Sequence, residues 1–333
     1  MRKLHFRIFF LLLIVFALTV HAEEDSPIDI YPHIILSNGL IEASVFLPDA
    51  EKGFYRSSRF EWSGMIWQLT YKNHTFFTER AKPHNPETSG HSMSLAEEFC
   101  IGTNIAIPQR FPEAKPGETF MKIGIGNLEK PDNDEDYHFS TQYKIIDSGT
   151  WETSYGKNWV EFTHTLEDPY GYAYIYRKRM ELSNDKPELI ISNSLTNTGS
   201  KTLIGDQYNH NFFTIDHEPI GKGYSVERFF SGTTNSNFSP TATIEANKII
   251  IQQQVKTSLF GKFEKFDSSV GKNHVIIRNT NANAGVDITG DFTLSGFNFY
   301  SSPQAICPEL FVWIQIEPGE TQQWKRTYNF FAE

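Results

Sequence analysis

The feature that most constrains this chain is a period-two alternation of side chains, repeated in short runs along most of its length. Tyr172, Tyr174 and Tyr176 fall on one face of an extended segment, with Ala173 and Ile175 on the other. Leu189, Ile191, Asn193 and Leu195 alternate with Ile190, Ser192 and Ser194, and Val312, Ile314 and Ile316 alternate with Phe311, Trp313 and Gln315. Shorter runs begin at Ile249 and Ile251, at Val275 and Ile277, and at Val286 and Ile288. Turn residues punctuate them: Asn184-Asp185-Lys186-Pro187, Asn197-Thr198-Gly199 and Glu317-Pro318-Gly319. Many short strands with turns between them predict an all-β fold, a large antiparallel β-sandwich. No long amphipathic helix is in view. Leu95 to Phe99 has room for one short turn of helix, and residues 81–91 read as a long connection.

The first residues belong to a different pattern. Arg2, Lys3 and Arg7 precede an unbroken apolar run from Ile8 to Leu18, then Val20-His21-Ala22 and the acidic Glu23-Glu24-Asp25. This is the order of a secretory signal peptide, expected to span residues 1–22 and to leave 23–333 as one mature domain. The apolar run is shorter than the roughly 20 residues that cross a bilayer, so no membrane insertion is expected after cleavage. The protein is then exported, either periplasmic or secreted. The whole chain has a net charge of −10, and the leader removes only basic residues from that balance. An acidic body excludes nucleic acid and anionic lipid as natural partners and favours a neutral or cationic ligand. Cys100 and Cys307 are far apart in sequence, and both a disulfide and two buried thiols are open to them.

Chemistry concentrates in Asp206-Gln207-Tyr208-Asn209-His210-Asn211-Phe212-Phe213, where amides, a histidine and aromatics are interleaved. Alternation puts Tyr208, His210 and Phe212 on one face and Asn209, Asn211 and Phe213 on the other. Aromatic faces stack on sugar rings, and amides and imidazole hydrogen-bond hydroxyls. A structural histidine is the competing reading of the same residues. No phosphate-binding loop and no Gly-x-Ser-x-Gly elbow occurs, and Gly124-Ile125-Gly126 is too short for a dinucleotide fingerprint. Glycoside hydrolysis needs two facing carboxylates, and the sequence names no partner for Glu309.

The order of these motifs resembles that of the galactose mutarotase (aldose 1-epimerase) superfamily. Asn209-His210-Asn211-Phe212-Phe213 is similar to its Asn-His-x-Tyr-Phe element and follows a Leu-Thr-Asn-Thr-Gly turn at Leu195 to Gly199. Ile306-Cys307-Pro308-Glu309 resembles its Cys-x-Glu-Pro element, and Pro318 to Thr321 its closing turn. The resemblance covers roughly residues 155–333. It implies the mutarotase-like supersandwich, a mono- or oligosaccharide partner, no cofactor and no metal. It also implies a general acid at the ring oxygen, His210, and a general base at the anomeric hydroxyl, Glu309. The family's first histidine, in a Leu-His-Gly segment, has no counterpart here. Arg56 and Arg59 are the candidates for a sugar-binding arginine, with Glu98, Lys122 and Asn209 completing the pocket. His91, His164 and His217 are the candidates to replace the missing histidine. The expected function is that of an exported carbohydrate-binding protein, an aldose 1-epimerase-like isomerase. The alternatives are a non-catalytic carbohydrate-binding module and a polysaccharide lyase or hydrolase accessory protein on the same fold.

Overall fold

The computed structural model describes residues 27–100, 107–133, 135–265 and 269–333. The expected signal peptide therefore lies outside the described residues. Two antiparallel sheets dominate. The broad sheet has ten strands, ordered in space Ala242–Glu245, Lys248–Ile251, Tyr224–Arg228, His274–Asn279, Ala284–Gly290, Thr321–Ala332, Glu188–Asn197, Ala173–Leu182, Trp159–Glu167 and Thr150–Tyr155. The site sheet has five, ordered Leu259–Phe263, Leu294–Ser302, Ala305–Ile316, Leu203–Phe212 and Ser94–Cys100. A four-stranded sheet built from His33–Ser37 to His74–Thr75 and a three-stranded one from Thr119–Lys122 to Ile145–Asp147 complete the described strands.

The alternation read in the sequence is realised as burial. Along Glu188–Asn197 every second side chain is buried, from Leu189 and Ile191 to Leu195. Each such apolar side chain contributes on the order of 1.5–3 kcal/mol by leaving water. The broad and site sheets pack face to face. Tyr176 of the broad sheet donates its hydroxyl to Glu97 of the site sheet at 3.1 Å, and Arg326 donates to Gln207 at 2.9 Å. The strand Leu203–Phe212 is buried on both faces because the broad sheet covers one and loops cover the other.

One expectation changes at this level, and two open points are placed. Ser94–Cys100, which had room for a helical turn, is the edge strand of the site sheet, paired from Phe212↔Ser94 to Asp206↔Cys100. Pairing gives its backbone a ladder that one isolated turn of helix lacks. The backbone positions of the two cysteines are far apart. Cys100 lies opposite Asp206, while Cys307, fully buried, takes a hydrogen bond from the Asn211 backbone. Five residues of extended strand separate these points, about 16 Å, well beyond disulfide reach. The Gly124-Ile125-Gly126 segment is a hairpin turn between Thr119–Lys122 and Gly126–Glu129. Gly124 has φ of +77°, and a Cβ there would overlap Glu61.

Among the described residues no helix is long and apolar enough to cross a membrane.

Candidate functional site

Tyr208, His210 and Phe212 project from the strand beside the edge of the site sheet into a cavity of about 1130 Å³, as the alternation predicts. This is somewhat above the roughly 300–1,000 Å³ of small-molecule sites. Strand register supplies the neighbours. Tyr208 pairs with Glu98 and His210 with Ala96, so the small alanine leaves room beside the imidazole. Phe60 fills part of it, meeting the imidazole edge-on with ring centroids 5.0 Å apart. Across the sheet, Asn298 pairs with Glu309 and donates its amide to Oε2 at 3.2 Å.

His210 is held between two carboxylates. Its Nε2 is 3.0 Å from Glu98 Oε2, and its Nδ1 is 3.0 Å from Glu309 Oε1. All three side chains are buried, Glu98 completely. The Glu98 carboxylate also accepts from the Tyr208 hydroxyl at 2.6 Å and from Arg59 Nε at 3.2 Å, and Lys122 Nζ lies 3.4 Å away. Burial alone would raise the Glu98 carboxyl. Arg59, Lys122 and the hydrogen bond from His210 outweigh it and hold Glu98 well below the usual carboxylate range. An ionised Glu98 accepts a hydrogen bond from Nε2, which leaves Nδ1 facing Glu309. The reciprocal effect acts on Arg59: burial opposes its charge, Glu98 overrides this, and the guanidinium is held more firmly protonated than usual.

Arg59 lies on a strandless segment, so its placement needs other supports. The Tyr55 hydroxyl accepts from the backbone N–H of Arg59 at 3.3 Å and of Phe60 at 3.2 Å. Glu61 N–H donates to the Glu97 carbonyl at 2.8 Å. These bonds tie the segment to the edge strand. The guanidinium then lies over Phe60 and Phe139, 4.5 and 4.2 Å from their ring centroids.

The cavity walls are largely aromatic, with Tyr208 and Phe311 stacked at 4.2 Å and Phe297, Phe212 and Tyr300 alongside. At the opposite end from Phe212, Asp206 accepts from the Ser295 hydroxyl at 2.8 Å, and burial raises its carboxyl. One group of side chains has metal-ligand chemistry among the described residues: ligand atoms of His210, Cys307 and Glu309 lie within 4.8 Å of one another. The set fits a metal poorly. Burial, then the neighbouring Glu309, pushes the Cys307 thiol well above its usual range, and a thiol must lose its proton to ligate.

Of the residues singled out in the sequence, His210, Glu309, Glu98 and Arg59 converge here. Lys122 stands behind Glu98, completely enclosed, and also donates to the Tyr137 hydroxyl at 2.8 Å. Of the five proposed sugar contacts only Arg59 lines the cavity: Glu98 and Lys122 are enclosed behind it, and two others point elsewhere. Asn209 points the other way, as alternation requires, and donates to Glu97 at 3.3 Å and Tyr328 at 3.2 Å inside the sandwich. Arg56 binds the Gly53 carbonyl and faces Glu87 at 3.7 Å, away from the cleft. None of the three replacement histidines lines the cavity either. His164 is buried in the broad sheet against Trp151, His217 meets Thr78, and His91 lies in the 81–91 connection. The histidine at the rim is His138, from a loop the sequence reading left unassigned. Asn298 and Tyr300 were also missed, although they alternate with Phe297 and Phe299 and period two would have found them. Arg80 was missed as well, and its loop carries no periodic signal.

No protein-family model matches the sequence, and no curated protein does. Solved structures match its fold. A putative aldose 1-epimerase from Escherichia coli K12 superposes with a TM-score of 0.58 at 13% identity, over 90% of this chain and 99% of that one. A galactose mutarotase-like protein from Clostridium acetobutylicum gives 0.55 at 14% identity, over 90% and 95%. Galactose 1-epimerase from Lactobacillus acidophilus gives 0.51 at 11% identity, again over 90% and 95%. At such identities the likeness establishes the architecture: the chain has the galactose mutarotase-like fold.

Proposed function

We propose that this chain binds a saccharide in its aromatic cleft and interconverts the anomers of an aldose by proton transfer between Glu309 and His210. The observation that carries the reading is the imidazole of His210 with Nδ1 3.0 Å from Glu309, oriented from behind by an ionised Glu98. Anomer exchange needs an acid and a base that meet at one carbon, because the ring oxygen and the anomeric hydroxyl share it. Glu309 takes the hydroxyl proton as the C1–ring oxygen bond breaks, and His210 gives its Nδ1 proton to the ring oxygen. Rotation about C1–C2 presents the other face of the carbonyl, and the reverse transfers close the ring and restore both groups. Tyr208, Tyr300 and Phe311 supply apolar surface for the ring.

The reading is tested by following α/β exchange of a panel of aldoses by NMR with the purified protein. Wild type is expected to accelerate exchange of at least one sugar. Glu309→Gln keeps shape and removes the base, and should lower turnover by about 10²–10⁴-fold with binding little changed. Unchanged exchange in that variant would sink the assignment. A binding module is the second reading, and one observation favours it: both ring nitrogens of His210 are already engaged by carboxylates. Tight sugar binding with no exchange above buffer would select it. Hydrolysis is less well supported, since Glu98 is held ionised and enclosed and so is not a free acid across the cleft.

A further inference from the structure

Among the described residues, Arg80 is a cation without a counter-ion on the wall of the cleft. Its guanidinium lies over Phe212, with Cζ 3.5 Å from the ring centroid, and NH1 donates to the Ser92 carbonyl at 3.3 Å. Its Nε is shut off from solvent and has no hydrogen-bond partner among the described residues. Burial lowers its pKa from the usual value, and the leading opposing influences, Tyr300, which also hydrogen-bonds it, and Cys307, are weak acids rather than carboxylates. Of the other cations at the site, Arg59 and Lys122 share Glu98, and Lys262, which also lines the cavity, acts on Asp206. Arg228 and Arg326 also have buried nitrogens without partners, but neither lines the cavity, whereas Arg80 does.

A guanidinium stays charged at any physiological pH, and leaving one desolvated and unpaired is unfavourable. What sets Arg80 apart from Arg228 and Arg326 is its place on a cavity wall, where a ligand can complete it. We propose that Arg80 recognises an anionic substituent on the bound saccharide, namely a carboxylate such as a uronic acid carries. This rests on the saccharide reading and narrows the substrate class. Position supports it. Phe212 separates the two groups, its ring centroid lying 5.2 Å from that of His210 and 3.5 Å from Arg80 Cζ. One sugar residue spans that distance, placing its anomeric carbon at Glu309 and its acidic group at Arg80. Chemistry selects a carboxylate over a phosphate ester. A planar fork matches a planar carboxylate with two parallel N–H bonds, a fit that a tetrahedral phosphate ester does not reproduce in one plane. The acidity of the whole chain favours neutral or cationic ligands, and Arg80 gives the cleft the opposite local sign.

The experiment is calorimetric titration of the full protein with matched pairs, galacturonate against galactose and glucuronate against glucose, with glucose 6-phosphate as a third arm. Wild type should bind a uronate about 10- to 100-fold more tightly than its neutral partner. Arg80→Met keeps the stem over Phe212 and loses the fork, and should bring that ratio close to one. Arg80→Lys, which keeps charge without the fork, should retain part of the preference and guards against a folding defect in the methionine variant. Equal affinity for uronate and neutral sugar in wild type overturns the inference, and anomer exchange on the neutral sugar would leave the epimerase reading standing. A uronate preference that survives in Arg80→Met overturns it as well, as does tighter binding of the 6-phosphate than of either uronate. Uronate binding that depends on Arg80 but comes with no anomer exchange supports the inference and removes the epimerase reading.

Discussion

Glu97 and Glu98 are neighbours on one edge strand, and both are completely buried, yet they serve opposite faces of the site sheet. Glu97 points into the sandwich, where it accepts from Gln207 at 2.8 Å and Tyr176 at 3.1 Å and lies 3.5 Å from Lys178. Lys178 also donates to Glu61 at 2.8 Å and to the Ser63 carbonyl at 2.9 Å. That cluster is closed: its partners come from both sheets and nothing in it reaches the cavity. Glu98 points outward to Arg59, Lys122, Tyr208 and His210, and its chain of partners continues through His210 to Glu309 on the cavity wall. The two faces use the same residue types at the same depth. What differs is whether the last group of the network meets protein or empty space, and that separates a framework from a candidate site.

The comparison breaks most visibly if the inner cluster is opened. Lys178→Met removes the cation from between Glu61 and Glu97 and leaves two buried carboxylates facing each other. Loss of one partner of a buried pair costs about 3–5 kcal/mol, so the urea midpoint should fall steeply. The fraction that remains folded should still bind sugar, because Lys178 does not border the cleft. A variant with wild-type stability and no sugar affinity would show that the two faces are not separable.

A smaller effect sharpens the contrast through pH, because the two faces carry shifts of opposite sign. Glu98 is depressed below the ordinary glutamate value of 4.5, so its contribution is present above 4.5 and lost as pH falls through the folded value. Glu61 is raised above 4.5, first by burial and then by the neighbouring charge of Glu97, which Lys178 does not fully offset. It costs stability above its folded value, and that cost is relieved as pH falls toward 4.5. Glu98→Gln should therefore flatten the loss of stability below pH 4.5, and Glu61→Gln the dependence above it. Urea unfolding at a series of pH values checks both. Identical effects of the two substitutions would remove the distinction.

The sequence carried much of this arrangement, and where it misled the reason is physical. Alternation in Leu203–Phe212 put Tyr208, His210 and Phe212 on one face, and the structure opens that face on the cavity. The same alternation turned Asn209 away, so its assignment to sugar binding followed motif membership against the better signal. Glu98 was picked out of Ala96-Glu97-Glu98-Phe99, although the segment was given room for a helical turn. Two charged residues in succession hide a strand from a period-two reading, because each face has its own polar cluster. Arg80 and His138 come from connections, where position is set by distant anchors such as the Ser92 carbonyl rather than by local pattern. The first half of the chain thus contributes Arg59, Glu98 and Arg80 to the site, although the motifs that could be read lay in the second half.

The smallest expected effect separates two arginines three positions apart in the sequence. Arg59 and Arg56 were equal candidates for a sugar-binding fork. Arg59 is bonded to the buried Glu98, whereas Arg56 faces Glu87, whose side chain is 64% exposed, at 3.7 Å. Exposed ion pairs are screened by solvent and contribute about 0–1 kcal/mol, with side-chain entropy offsetting much of the attraction. Arg56→Ala should shift stability by about 0.5 kcal/mol or less and leave sugar affinity within about twofold. Arg59→Met should instead loosen Glu98 from one of its two cations and weaken the hold on the Nε2 side of His210. Measured side by side in the anomer-exchange assay, only the second substitution should slow turnover. If Arg56→Ala slowed it as much, the cleft would extend past Phe60 to the segment's outer side, and the boundary drawn between the two arginines would be in the wrong place.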